Sequence, residues 1–134
     1  MTDRRRQKAL EKAARLAKAS RKTRIDRLIW AYKIKSPDDI PEGAIPAIPS
    51  SQNKGDTWGY YYVRLWYADK DFVCKDCGKS ETWSAIEQLH YYEITKGKAI
   101  NEPTRCFECR IKHAEYSKLH TERMREAAER RQNQ

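Results

Sequence analysis

Residues 4–35 of this 134-residue chain contain good helix formers and neither Gly nor Pro, and Ile25, Leu28, Ile29 and Tyr32 recur at the i, i+3, i+4, i+7 spacing of one helical face. The second half of this segment therefore predicts an amphipathic helix that docks. The first half offers only Leu10, Ala13, Ala14 and Ala17, a thinner stripe, and is expected to project into solvent or onto a partner. Residues 36–55, SPDDIPEGAIPAIPSSQNKG, hold four of the five prolines. So many missing amide donors exclude a helix or central strand and predict an extended wrapping segment, with Ile40, Ile45 and Ile48 lying across a core.

YYYVRLWY at 60–67 reads with period two, placing Tyr61, Val63, Leu65 and Tyr67 on one face and Tyr60, Tyr62, Arg64 and Trp66 on the other. It predicts a strand, followed by a turn at ADKD (68–71) and a second short strand ending in FVC. Ser84 and Glu87 form a capping-box pattern that opens a helix over 85–95, with Gly97 as its stop. A last helix is expected to begin at or just after Cys106 and to run to about Arg130, where Glu126 and Arg130 are spaced as an i, i+4 ion pair.

The four cysteines form two C-x2-C pairs, Cys74/Cys77 and Cys106/Cys109, separated by 28 residues. Two such pairs supply the four soft ligands of a tetrahedral zinc site whose closed shell leaves no position for substrate, which makes the expected zinc structural. A redox role would account for one pair and gives no reason for the second; iron–sulfur ligation stays open as the alternative metal chemistry. Gly78, directly after Cys77, suits the positive φ of a tight metal knuckle. Cys106 and Cys109 run straight into helical sequence, so they are expected in the first turn of the last helix, where exposed amides stabilise thiolates. The fold class is α+β: a small zinc-stabilised, ribbon or treble-clef-like module with a short β-hairpin, flanked by N- and C-terminal helices. The expected segments are a basic helical arm (1–35), a Pro-rich linker (36–57), a zinc-binding domain (58–110) and a charged C-terminal helix (111–134).

The stretch from residue 67 to 110 resembles a family of small, mostly bacterial proteins described as probable zinc-ribbon domains. Its shared pattern appears here as Phe72, Cys74, Cys77, Gly78, Trp83, Glu87, Gln88, Gly97, Pro103, Arg105, Cys106, Cys109 and Arg110. Members often carry Pro after the third cysteine, where this chain has Phe107. The resemblance implies a metal-binding module and supplies no activity.

Charge changes the functional picture. The net +9 is distributed as +10 over residues 1–35, −3 over 36–73, 0 over 74–110 and +2 over 111–134. Arg4, Arg5, Arg6, Lys8, Lys12, Arg15, Lys18, Arg21, Lys22 and Arg24 thus form a basic run suited to a polyanion, and Arg64 between Tyr62 and Trp66 is a further candidate contact. The function expected is a non-enzymatic zinc-binding protein that binds RNA or DNA, including within a ribonucleoprotein, through its N-terminal arm. The competing reading is a zinc-braced protein-interaction adaptor with a protein partner; a zinc-braced nuclease is a weaker third. A nuclease needs a general-base His beside an Asp or a second His, and neither dyad occurs. His113 and His120 follow Cys109 but are superfluous to a completed four-cysteine shell. Ten of the fourteen aromatic residues fall between Trp58 and Tyr92, where they are expected to build a small core. No apolar run reaches the ~18–20 residues of a membrane span, so no membrane partner is expected. Without a secretory-type start, the expected location is the cytoplasm and the cysteines reduced. No small-molecule substrate is implied.

Overall fold

The computed structural model of the chain describes residues 3–54 and 62–133. Its elements are α1 (Asp3–Trp30), β1 (Ile45–Pro46), β2 (Trp66–Tyr67), β3 (Lys70–Val73), β4 (Ser80–Trp83), α2 (Ala85–Leu89), which continues as a π-helical turn over His90–Ile94, and α3 (Phe107–Gln132). Two compact units result. The first comprises residues up to Asp71 together with Thr82–Glu102; the second comprises Phe72–Glu81 and everything from Pro103 onward. This division differs from the four expected segments, because the arm, the Pro-rich stretch and the 85–94 helix belong to one unit.

α1 is longer on its docked side than its apolar stripe suggests. Ala13, Ala17, Arg24 and Leu28 are all buried, so the first half of the helix packs rather than projects. Alanine does this by its smallness: a helix face with no bulk lets a neighbouring backbone approach, and α1 lies against α2, β1 and the π-helical turn. At its other end Leu28 joins Ile34, Ile40 and Ala44, with Ile25, Ile29, Leu65 and Trp66 packed around them. The Pro-rich stretch wraps the helix, burying Ala44, Pro46, Ala47 and, of the three isoleucines expected across the core, Ile40; Ile45 and Ile48 are half-buried.

The termination of α1 is a Schellman motif. The Lys33 amide donates to Leu28 O at 2.9 Å and the Tyr32 amide to Ile29 O at 3.0 Å. That motif requires a left-handed residue, and here it is Tyr32, at φ 59°. A left-handed side-chain-bearing residue costs about 1–2 kcal/mol. Tyr32 consequently turns away from the face it was expected to share with Leu28, and it is almost wholly exposed.

The expected strand at 60–67 is shorter than its pattern. Tyr60 and Tyr61 lie outside the described residues; of the remainder, Trp66 and Tyr67 alone are strand, pairing antiparallel with Pro46 and Ile45. The aromatics build a core as anticipated. Tyr67 stacks on Tyr92 at 5.8 Å, and Trp83 meets Tyr92 edge-on at 5.5 Å and Tyr91 at 5.9 Å.

In the middle of that core lies a polar network. Arg24 Nη1 reaches Glu93 Oε1 at 2.9 Å and Oε2 at 3.0 Å, both side chains being buried, and also donates to Pro46 O. The same carboxylate accepts from the Tyr67 hydroxyl at 2.7 Å and from the Ile48 amide at 3.2 Å. Burial, and then the adjacent Glu93 charge, push the Tyr67 hydroxyl far above the ordinary phenol range, so it remains a donor. Gln52 closes the network, donating to Tyr67 Oη and to Arg64 O while accepting from the Arg64 amide.

The capping box at α2 is present: the Glu87 amide donates to Ser84 Oγ at 3.1 Å. Gln88 ties α2 to the preceding chain by donating to Ala68 O and Trp83 O. Gly97 has a different role from the one expected. The left-handed residue after the π-helical turn is Lys96, at φ 59°. A Cβ on Gly97 would lie 2.2 Å from the Tyr91 ring, so glycine is required there by close approach.

Removing one partner of the buried pair leaves a bare charge in the core, a loss of about 3–5 kcal/mol. Glu93→Ala is therefore expected to lower the urea midpoint by that equivalent, whereas Lys12→Ala on the exposed face of α1 leaves it unchanged.

Candidate functional site

The metal centre is built entirely within the second unit. β3 and β4 form a two-stranded hairpin whose connection carries the first cysteine pair. The Cys74 amide donates to Lys79 O and the Gly78 amide to Cys74 O, both at 2.9 Å, closing a tight knuckle. Gly78 takes φ 74°, the left-handed conformation its position after Cys77 predicts. The Lys75 amide donates to Thr104 O at 2.9 Å and Arg105 Nε to Asp76 Oδ2 at 2.6 Å, fastening the second pair to the first.

Cys106 is the N-cap of α3 and Cys109 lies in its first turn, as expected. Cys106 gives no side-chain cap. Glu81 of β4 serves instead, accepting the Phe107 amide at 3.2 Å. This gives a physical reading of Phe107: a proline at that first helical position would fit sterically but would have no amide for Glu81.

The four Sγ atoms lie within 4.8 Å of one another, and none is in a disulfide. Cys77 Sγ and Cys106 Sγ are 3.7 Å apart. A tetrahedron of ~2.3 Å Zn–S bonds has edges of about 3.8 Å, so the cluster has the size of a zinc cage. Cys74 and Cys106 are buried, Cys109 is half-buried and Cys77 is exposed. Backbone amides, that of Cys77 foremost, lower the Cys74 thiol to about 6. Its neighbours move the other way: the Cys106 side chain, then burial, raise Cys109 to about 12. Four thiolates this close repel unless a cation lies between them, and Zn²⁺ supplies that cation. The four cysteines fit one structural zinc ion, which would be held by Cys74, Cys77, Cys106 and Cys109 and would join the hairpin to α3.

Residues 68–118 match the model of a family described as a probable treble clef domain. Hairpin, knuckle and a second cysteine pair at the start of a helix are the parts of that fold, and this segment is a treble clef zinc-binding domain of the α+β class. No curated protein and no solved structure matches the chain.

The expected nucleic-acid contacts divide into two groups. Arg4, Arg5, Lys8, Lys12, Arg15, Lys18 and Lys22 are exposed along one side of α1. Arg21 is exposed and donates to Ala44 O at 3.0 Å, while Arg6 pairs with Glu87. Two residues are corrections. Arg24 is 2% exposed and committed to Glu93, so it anchors the helix and has no access to a phosphate. Arg64 is likewise structural: it donates to Ala99 O at 2.8 Å, pairs with Glu102 at 3.3 Å and covers the Tyr92 ring at 4.6 Å. His113 and His120 are exposed on α3, where His120 stacks on Tyr116.

Purified protein is expected to contain one zinc per chain by elemental analysis. A chelator should melt the knuckle and the start of α3, since structural zinc contributes ~10–16 kcal/mol of apparent binding energy in small peptides. A Cys74→Ser/Cys106→Ser variant that keeps wild-type thermal stability would contradict this assignment.

Proposed function

We propose that this chain is a non-enzymatic, zinc-stabilised module that binds nucleic acid through the exposed face of α1. The observation that carries the reading is the division of α1 into two faces. Ala13, Ala17, Arg24 and Leu28 fix one face in the core, and Arg4, Arg5, Lys8, Lys12, Arg15, Lys18 and Lys22 stand together on the other. A rigid row of seven cations suits the regular spacing of a phosphate backbone, where each contact releases a condensed counterion. A flexible tail of the same charge would have to be ordered at the moment of binding. The closed shell of the cysteine cluster assigns the zinc to folding, leaving the basic row as the functional surface. Four cysteines arranged to ligate a metal and not to pair as disulfides favour a reducing, cytoplasmic setting. In helices as polar as α1 and α3 nothing is long and apolar enough to cross a membrane among the described residues.

The adaptor reading has its own observation. No residue of α3 is fully buried, and Ile111, Tyr116, Leu119 and Met124 are exposed along it. A protein partner would use that helix; Trp66 and Tyr67 are committed to β2 and the aromatic core.

Salt separates the two. Binding through α1 should make log affinity fall linearly with log salt by ~0.7–0.9 per phosphate contacted, and Lys8→Ala/Lys12→Ala/Arg15→Ala should reduce that slope by about two to three. Salt-independent binding, or an unchanged slope in the triple variant, would transfer the assignment to the adaptor.

A further inference from the structure

α1 ends in two rings that the core does not use. Tyr32 is 95% exposed and Trp30 84%, the most exposed large apolar side chains among the described residues. Tyr32 occupies the left-handed position of the helix stop, where glycine is the ordinary choice, and its ring gains no burial in return for the strain. Packing therefore accounts for neither ring, and strain held without a packing benefit is a mark of functional sites.

Cations border one side of Trp30. There a cleft of about 510 Å³ has an apolar floor of Leu28, Ile48 and Pro49 and is edged by Arg27, Lys33 and Lys54. On its other side, a second cleft of about 410 Å³ is lined by Ile29, Trp30, Ala31 and Tyr32. Trp30 also lies on the side of α1 that carries the basic row, one turn beyond the exposed Asp26. It lies eighteen residues after Lys12 on the same uninterrupted helix, about five full turns and ~27 Å along one face. Charge complementarity thus selects a polyanion for this end of the helix as well, and the two rings specify what else that polyanion must offer.

We infer that the C-terminal end of α1 is a base-stacking site, and that the ligand of the basic row is a single-stranded nucleic acid whose phosphates follow the lysines and arginines while an unpaired base lies on Trp30 or Tyr32. This deepens the nucleic-acid reading above and rests on it. In a duplex the base faces are covered by their neighbours, so an exposed indole has no partner there. In a single strand every base presents a π-face, and stacking on an aromatic side chain tolerates any sequence. Arg27 and Lys33 would hold the phosphates flanking the stacked base.

The test measures fluorescence anisotropy with the full zinc-loaded chain, using labelled oligo-dT and a labelled blunt duplex of equal length. The proteins are wild type, Trp30→Ala, Tyr32→Gly and Lys8→Ala/Lys12→Ala/Arg15→Ala. Oligo-dT should bind more tightly than the duplex. Trp30→Ala, Tyr32→Gly or both, according to which ring carries the base, should lower oligo-dT affinity by ~5- to 150-fold, the equivalent of about 1–3 kcal/mol of stacking, without changing the salt slope. Tyr32→Gly relieves a left-handed residue, so its melting temperature should match or exceed wild type, and its lost affinity is then not lost folding. Wild-type affinity in both aromatic variants, with weakened binding in the triple variant, overturns stacking and leaves the phosphate reading standing. A preference for the duplex also overturns the inference. Absence of binding to either probe at low salt overturns both.

Discussion

The buried pair of Arg24 and Glu93 is the constraint around which the first unit is arranged. Two charges taken out of water cost several kcal/mol each, and their mutual attraction offsets this only when the remaining donors and acceptors are satisfied. Here they are. Glu93 gains the Tyr67 hydroxyl and the Ile48 amide, and Arg24 gains Ser20 Oγ and Pro46 O. The pair and its partners span four stretches of the chain: α1, the Pro-rich wrap, β2 and the π-helical turn that carries Glu93. One carboxylate therefore fixes the register of four segments, none of which has enough apolar bulk to specify its own position. The small residues follow from this. Ala13 and Ala17 allow α1 to approach, and Gly97 admits the Tyr91 ring, so that the polar centre is sealed by aromatic edges.

The second unit has a different organising force. Among the described residues nothing in α3 is fully buried, and the side chains buried in the second unit are the thiols of Cys74 and Cys106. An apolar core of that size supplies little stabilisation. A metal with four soft ligands substitutes for it, and the hydrogen bonds of Lys75, Arg105 and Phe107 orient the two cysteine pairs. The two units thus solve the same problem, too few aliphatic residues, in unlike ways: one by a satisfied polar network under aromatic rings, the other by coordination.

What was legible in the sequence depended on how local the determinant is. The cysteine spacing, the positive φ at Gly78, the Ser84/Glu87 box and the start of α3 are set by neighbours within a few residues, and each is found where expected. Arg24 could not be told from the arginines around it, because its distinction is Glu93, sixty-nine positions away. Arg64 was hidden for the same reason: its partners Ala99 and Glu102 become adjacent only after folding. A faint signal existed in α1, where Ala13, Ala17, Arg24 and Leu28 keep a spacing of four or seven residues; reading Arg24 as an apolar-face residue would have called for a buried acid. Tyr32 completed an i, i+3, i+4, i+7 stripe and yet stops the helix, since periodicity does not report backbone handedness.

The electrostatics of α1 connect these points to function. α1 carries 11 Lys and Arg against three acids, a net +8, and on its docked side Glu87 meets Arg6, Glu93 meets Arg24, and Ala44 O accepts from Arg21. Both carboxylates come from α2 and its π-helical extension, so the helix that follows the metal hairpin in sequence is also the one that anchors the arm. Folding holds the outward cations at fixed spacing along one helix, and like charges held so repel one another. The same residue type is thus put to two uses, a buried anchor at Arg24 and solvent-facing charge at Lys8, Lys12 and Lys18, separated by which side of one helix each residue occupies.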